Sequence, residues 1–207
     1  MRPSVGRLHV LTDQSVQQRY THLELTQRAV AAGVPVVQYR HKTYDPARDR
    51  AELMAIAQLT AASATRLLVN DYLDEALAVR AGGVHLGQGD PDPAEALKRL
   101  GPAAVVGVTV HSAAECQFAN RLPVHYVGIG PVFGTRSKAT GLPPLGLAGL
   151  ERLCRMSHHP VIAIGSITLE TVPQVLACGA YGVAILSAFC TAREPEQVAS
   201  QFLDALG

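Results

Sequence analysis

One pattern constrains this chain more than any other: eight short apolar runs, rich in β-forming residues, alternate with amphipathic stretches of helical period. The runs are LHVLT (8–12), VPVVQY (34–39), RLLVN (66–70), GVHLG (83–87), AVVGVTV (104–110), HYVGIG (125–130), PVIAIG (160–165) and GVAIL (182–186). Most are apolar at successive positions, which suits strands covered on both faces. The helical stretches span 20–33, 45–62, 71–82, 92–101, 112–122, 147–156, 168–179 and 194–206. Gly33 closes the first, Asp45-Pro46 opens the second, and Ser112 and Glu115 have capping-box spacing. Pro173 interrupts the seventh and is placed in its first turn.

Repeated strand–helix units imply a parallel sheet with right-handed crossovers. Eight of them close into a (β/α)₈ TIM barrel, and 207 residues lies near the lower size limit of that fold. A doubly wound open sheet usually has fewer strands and wants a Gly-rich first turn, which LTDQS is not. The expectation is a single barrel domain over residues 1–207.

Net charge is +1, so no global field points to nucleic acid or an anionic membrane, and any anion recognition is local. The N-terminal MRPSVGRLHVLTD has no apolar run of signal-peptide length. No segment reaches the roughly 18 apolar residues of a spanning helix. A cytoplasmic protein is expected. Cys116, Cys154, Cys178 and Cys190 show no Cys-x-x-Cys spacing and read as buried thiols.

In such a barrel the active site lies at the C-terminal ends of the strands. The second strand ends in QYRHK, a concentration of polar and cationic groups. Alternation puts Gln38, Arg40 and Lys42 on one face and Tyr39 and His41 on the other. All five enter the candidate substrate-binding set, with the first three aimed at the axis. Arg offers a planar fork to phosphate oxygens and Lys a point charge. A solvated strand end would carry the same residues without function.

The third strand ends in Asn70-Asp71, and Asp90 follows the fourth. Adjacent strands lie about 4.8 Å apart, so the two carboxylates can reach one Mg²⁺. Helix N-capping is the competing role for both, although Asp92-Pro93 offers a second cap that leaves Asp90 freer. Thr109 is a candidate hydroxyl at the fifth strand's end, with Gly107 leaving room beside it, and His111 is an acid, a base or a structural group. The longest irregular segment, 128–146, holds Thr135, Arg136, Ser137 and Lys138, which resemble an anion-gripping lid. Gly165, Ser166 and Ser187 end the last two strands, where barrels of this kind bind a monophosphate. Tight strand–helix packing would select the same small residues. The mouth therefore reads as two anion sites: a diphosphate site with a metal at strands 2–4, and a monophosphate site at strands 7–8.

QYRHK, ND, GVHLGQGD, GVTVH, GIGPVFGTRSK, AIGSI and GVAILSAF, in this order and spacing, resemble the thiamine phosphate synthase family over essentially the whole chain. The resemblance implies coupling of a hydroxymethylpyrimidine diphosphate to a thiazole phosphate with release of pyrophosphate. It implies Gln38, Arg40, Lys42, Asn70, Thr109 and Lys138 around the pyrimidine diphosphate, with Arg40, Lys42, Lys138 and Thr109 as the catalytic set. It implies Mg²⁺ on Asp71 and Asp90, the thiazole phosphate on Thr135, Ser137, Ser166, Leu186 and Ser187, and a homodimer. The chain departs from the family at His41, usually Glu, and at Ser166, usually Gly. The rival readings are a thiazole tautomerase of the same superfamily and a non-catalytic regulatory paralogue. The tautomerase branch carries His where this chain has Pro131 and tends to lose the diphosphate and metal residues.

Overall fold

The computed structural model describes residues 4–134, 141 and 143–207. The strands are β1 (Leu8–Thr12), β2 (Val36–Tyr39), β3 (Arg66–Asn70), β4 (Gly83–Leu86), β5 (Val105–Val110), β6 (Tyr126–Ile129), β7 (Val161–Ile164) and β8 (Gly182–Ile185). Each pairs in parallel with its sequence neighbour, and β8 returns to β1 to close the barrel. The expected (β/α)₈ architecture is the observed one.

The helices are α1 (His22–Ala31), α2 (Pro46–Ala61), α3 (Leu73–Ala78), α4 (Pro93–Leu100), α5 (Ala113–Ala119), α6 (Gly146–Met156), α7 (Val172–Ala177), α8 (Ser187–Cys190) and α9 (Pro195–Leu206). Local signals set most of their starts. Thr21 caps α1 in a full capping box with Glu24. Asp45 caps α2, with Pro46 at its first position. Pro173 falls in the first turn of α7, where its missing N–H costs nothing. The box at Ser112 is only half formed: Ser112 accepts from the Glu115 N–H, but the Glu115 carboxylate takes the His111 N–H instead. The four-residue α8 is too short to have left a periodic signal.

Outward-facing strand residues such as Val10, Val37, Val69 and Val127 are fully buried beneath the helices. The barrel interior departs from the usual aliphatic layers. His9, Gln38, His85, Thr109 and Tyr126 form a hydrogen-bonded chain across it. Gly107 makes this possible: a Cβ there would lie 2.1 Å from the Tyr126 ring. The room expected beside Thr109 is filled by that ring. Among the described residues, no helix is long and apolar enough to cross a membrane.

Candidate active site

The C-terminal ends of the strands surround one cavity. Gln38, Arg40, Lys42, Asn70, Asp71, Thr109, Gly165, Ser166, Leu186 and Ser187 all line it. Alternation along β2 accounts for the first three, since odd and even positions point to opposite sides of the sheet. Tyr39 and His41 are corrections to the candidate set. Tyr39 is fully buried outside the barrel, its ring 4.6 Å from that of His22 on α1. His41 stands 3.4 Å from the Asp49 carboxylate of α2 and lines a separate crevice with Asp13 and Arg48. Thr135, Arg136, Ser137 and Lys138 lie outside the described residues.

At the β2–β4 side, Arg40 is buried and paired with buried Asp13, which follows β1. Burial lowers the Arg40 pKa, and the charge of Asp71 acts against that shift. Lys42, half exposed, pairs with Asp71. The Asn70 amide donates to the other oxygen of Asp71 at 2.6 Å. Asp71 holds a left-handed backbone, φ 70°, which points its carboxylate into the mouth and delays the start of α3 to Leu73.

Neither candidate metal carboxylate is a helix cap. The α3 terminus has no side-chain cap, and Asp92 caps α4 through the Ala94 and Glu95 N–H groups. Asp90 does not line the cavity itself; it accepts from the Gly87 N–H at 2.6 Å, just behind the wall. Burial raises its pKa most, the Gly87 hydrogen bond opposes this, and the neighbouring Asp71 charge raises it further. A carboxylate whose ionisation is disfavoured by a neighbouring one suits a cation shared by the two. Among the described residues no group of three or more His, Cys, Asp or Glu could hold a metal.

The opposite side is shaped by close backbone approaches. Gly165 has φ 113°, and a Cβ there would meet Pro131 Cα and Val132 N at 2.7 Å. Ser166 has φ 49° and donates its hydroxyl to Gly134 O at 3.1 Å. The chain leaving β6 is tied to the same corner, Val132 N–H to Ile164 O and Phe133 N–H to Gly165 O.

Sequence reasoning missed His85 and Tyr126, which line the cavity between the two sides. Their role follows from hydrogen-bond logic. His9 Nε2 lies 2.8 Å from Val5 O, an acceptor, so Nε2 carries the proton. Burial lowers the His9 pKa to about 3, so the ring is neutral and Nδ1 accepts from the Gln38 amide. The second Gln38 N–H goes to the Tyr126 hydroxyl at 3.2 Å, which leaves Oε1 as the amide's remaining acceptor. The Tyr126 hydroxyl lies 2.8 Å from His85 Nδ1, and His85 Nε2 lies 2.9 Å from Thr109 Oγ1. His111 bonds Gly130 O through Nδ1 at 2.5 Å and joins the ends of β5 and β6.

The thiamine monophosphate synthase family model matches residues 8–189, from β1 into α8. The chain belongs to the thiamine monophosphate synthase family. A thiamine-phosphate synthase of Salinibacter ruber is 42% identical over 98% of this chain and 89% of its own length. One from Albidiferax ferrireducens is 38% identical over 91% of this chain and 86% of its own. A solved thiamine phosphate pyrophosphorylase from Pyrococcus furiosus superposes with TM-score 0.85 at 28% identity, covering 97% of this chain and 95% of that one. A 3-hexulose-6-phosphate synthase, TM-score 0.69 at 19% identity, shares the fold alone. Like its relatives in the thiamine monophosphate synthase family, the chain is a transferase.

Proposed function

We propose that the chain couples a hydroxymethylpyrimidine diphosphate to a thiazole phosphate, forming thiamine phosphate and releasing pyrophosphate. The observation that carries this is convergence: Arg40, Lys42, Asn70 and Asp71 share one cavity with Gly165, Ser166 and Ser187. Cations and a candidate metal carboxylate share a single opening with the backbone turns at Gly165, Ser166 and Ser187.

The reaction is dissociative. The bond from the exocyclic methylene carbon to the diphosphate oxygen breaks with both electrons leaving on oxygen. The aminopyrimidine delocalises the positive charge left on carbon. The thiazole nitrogen then donates its lone pair to that carbon. Arg40 and Lys42 stabilise the departing anion, and Lys138 is assigned to the same task. Gln38, Asn70 and Thr109 hold the pyrimidine and its diphosphate. Leu11, Ile162 and Ile164 line the cavity with apolar surface that keeps water from the reactive carbon. Ser166, Leu186 and Ser187, with Thr135 and Ser137, hold the thiazole phosphate and so place its nitrogen. Asp71 and Asp90 would hold Mg²⁺, which supplies charge neutralisation to the leaving diphosphate. No protein nucleophile or strong base is required, which suits a site of cations, amides and hydroxyls. A homodimer in the cytoplasm is part of the same proposal.

Mixing the protein with both substrates and Mg²⁺ is expected to release one pyrophosphate per thiamine phosphate formed. Turnover of a thiazole tautomer without pyrophosphate would assign the chain to the tautomerase branch instead.

A further inference from the structure

We propose that Asp13 is the positioning residue for Arg40, holding its guanidinium in the mouth before the diphosphate arrives. The inference rests on the diphosphate reading of the β2–β4 side.

Register brings the two residues together. Thr12 pairs with Tyr39 across β1 and β2, and the Arg40 N–H donates to Thr12 O at 3.2 Å. The next residue of each strand therefore lies side by side. Asp13 is 1% exposed and Arg40 6%. One Asp13 oxygen accepts from the Ser15 N–H at 2.8 Å, which fixes the carboxylate in a local turn. The other pairs with Arg40 Nη1. Arg40 lines the inner cavity, whereas Asp13 lines the outer crevice beside His41, Arg48 and Asp49. The guanidinium thus meets Asp13 through Nη1 and borders the inner cavity.

A carboxylate at this place repels the substrate's own negative charge. Simple field arithmetic would have its removal tighten diphosphate binding. A buried guanidinium without a partner, however, is costly and would leave the site for solvent whenever the diphosphate is absent. The pair keeps the fork in its working position, so that no reorganisation is required as the leaving group develops charge. Field and positioning predict effects of opposite sign.

The test is steady-state pyrophosphate release by wild type, Asp13→Asn, Arg40→Ala and the double variant, with each substrate varied in turn. Positioning predicts that Asp13→Asn lowers kcat/KM for the pyrimidine diphosphate by at least tenfold. The KM for the thiazole phosphate stays within twofold, and in the Arg40→Ala background the same change costs less than twofold more. An Asp13→Asn enzyme as active as wild type, or more so, overturns the inference. An equal loss in the Arg40→Ala background, or a matching rise in the thiazole phosphate KM, also overturns it, because the role would then be merely structural. Should Asp13→Asn fold poorly, Asp13→Glu keeps the charge and displaces the fork by one methylene, and the same selective loss and the same cycle apply. A wild type that releases no pyrophosphate indicts the functional reading and not this pair.

Discussion

At the scale of single residues, the mouth stores backbone strain at chosen places. Ser166 is a β-carbon residue in the left-handed region, φ 49°, where glycine is the unstrained choice. Its hydroxyl offsets part of that cost by donating to Gly134 O. The two effects can be separated. Ser166→Ala keeps the strain and loses the bond, so it should destabilise by about 1 kcal/mol. Ser166→Gly loses the bond and relieves the strain, so it should stay within about 1 kcal/mol of wild type. Denaturant midpoints at constant m-value check the order, Gly and Ser above Ala. Ser166 was legible as a departure from its family's glycine, but its φ was not, because sequence states which residue is present and not which backbone region it is forced into. The left-handed Asp71 was hidden in the same way, and a helix beginning at 71 was expected where α3 begins at Leu73.

At the scale of elements, the end of β2 is where alternation did its work. Strand parity separated Gln38, Arg40 and Lys42 from Tyr39 and His41, and the structure puts the first set on the cavity and keeps the second off it, with Lys42 also bordering the outer crevice. Opposite outcomes follow for adjacent residues. Arg40→Ala should lower kcat by about 10²-fold or more, the usual cost of removing one donor to a developing anion. His41→Ala should leave kcat within about threefold, since its ring contacts Tyr39, Asp49 and His22 and not the cavity. Equal losses in the two would mean that parity does not sort function here. The same rule, applied to GVHLG and HYVGIG, would have found His85 and Tyr126. Each sits inside a short apolar run and draws no notice in sequence, and their inward position becomes telling only when the barrel closes and Gly107 is seen to make room for the tyrosine ring. Asp13 was missed for a related reason: nothing in LTDQS marks its partner on another strand.

At the scale of the whole molecule, the fold was legible because eight apolar runs separated by helical periods admit few closed arrangements, whereas the polar barrel interior was not. That interior has a consequence for acid stability. Burial lowers the pKa of His9 and of His22 to about 3, the latter also through repulsion from His41. Unfolded, each takes a proton near its ordinary 6.5. Their contribution to stability is full above that value and is lost as pH falls toward about 3. His22 is the simpler to test, because its Nε2 is buried without a hydrogen-bond partner. His22→Leu should flatten the fall in unfolding free energy between neutral pH and pH 4, and an unchanged slope would place the acid sensitivity elsewhere. The central claim concerns the mouth as a unit: two anion sites opening on one cavity. It is tested most directly by calorimetric titration of Mg²⁺-pyrophosphate and of thiazole phosphate, each into free protein and into protein saturated with the other. Both ligands should bind one per chain and together, with Arg40→Ala abolishing only the pyrophosphate heat; mutual exclusion of the two would contradict the account.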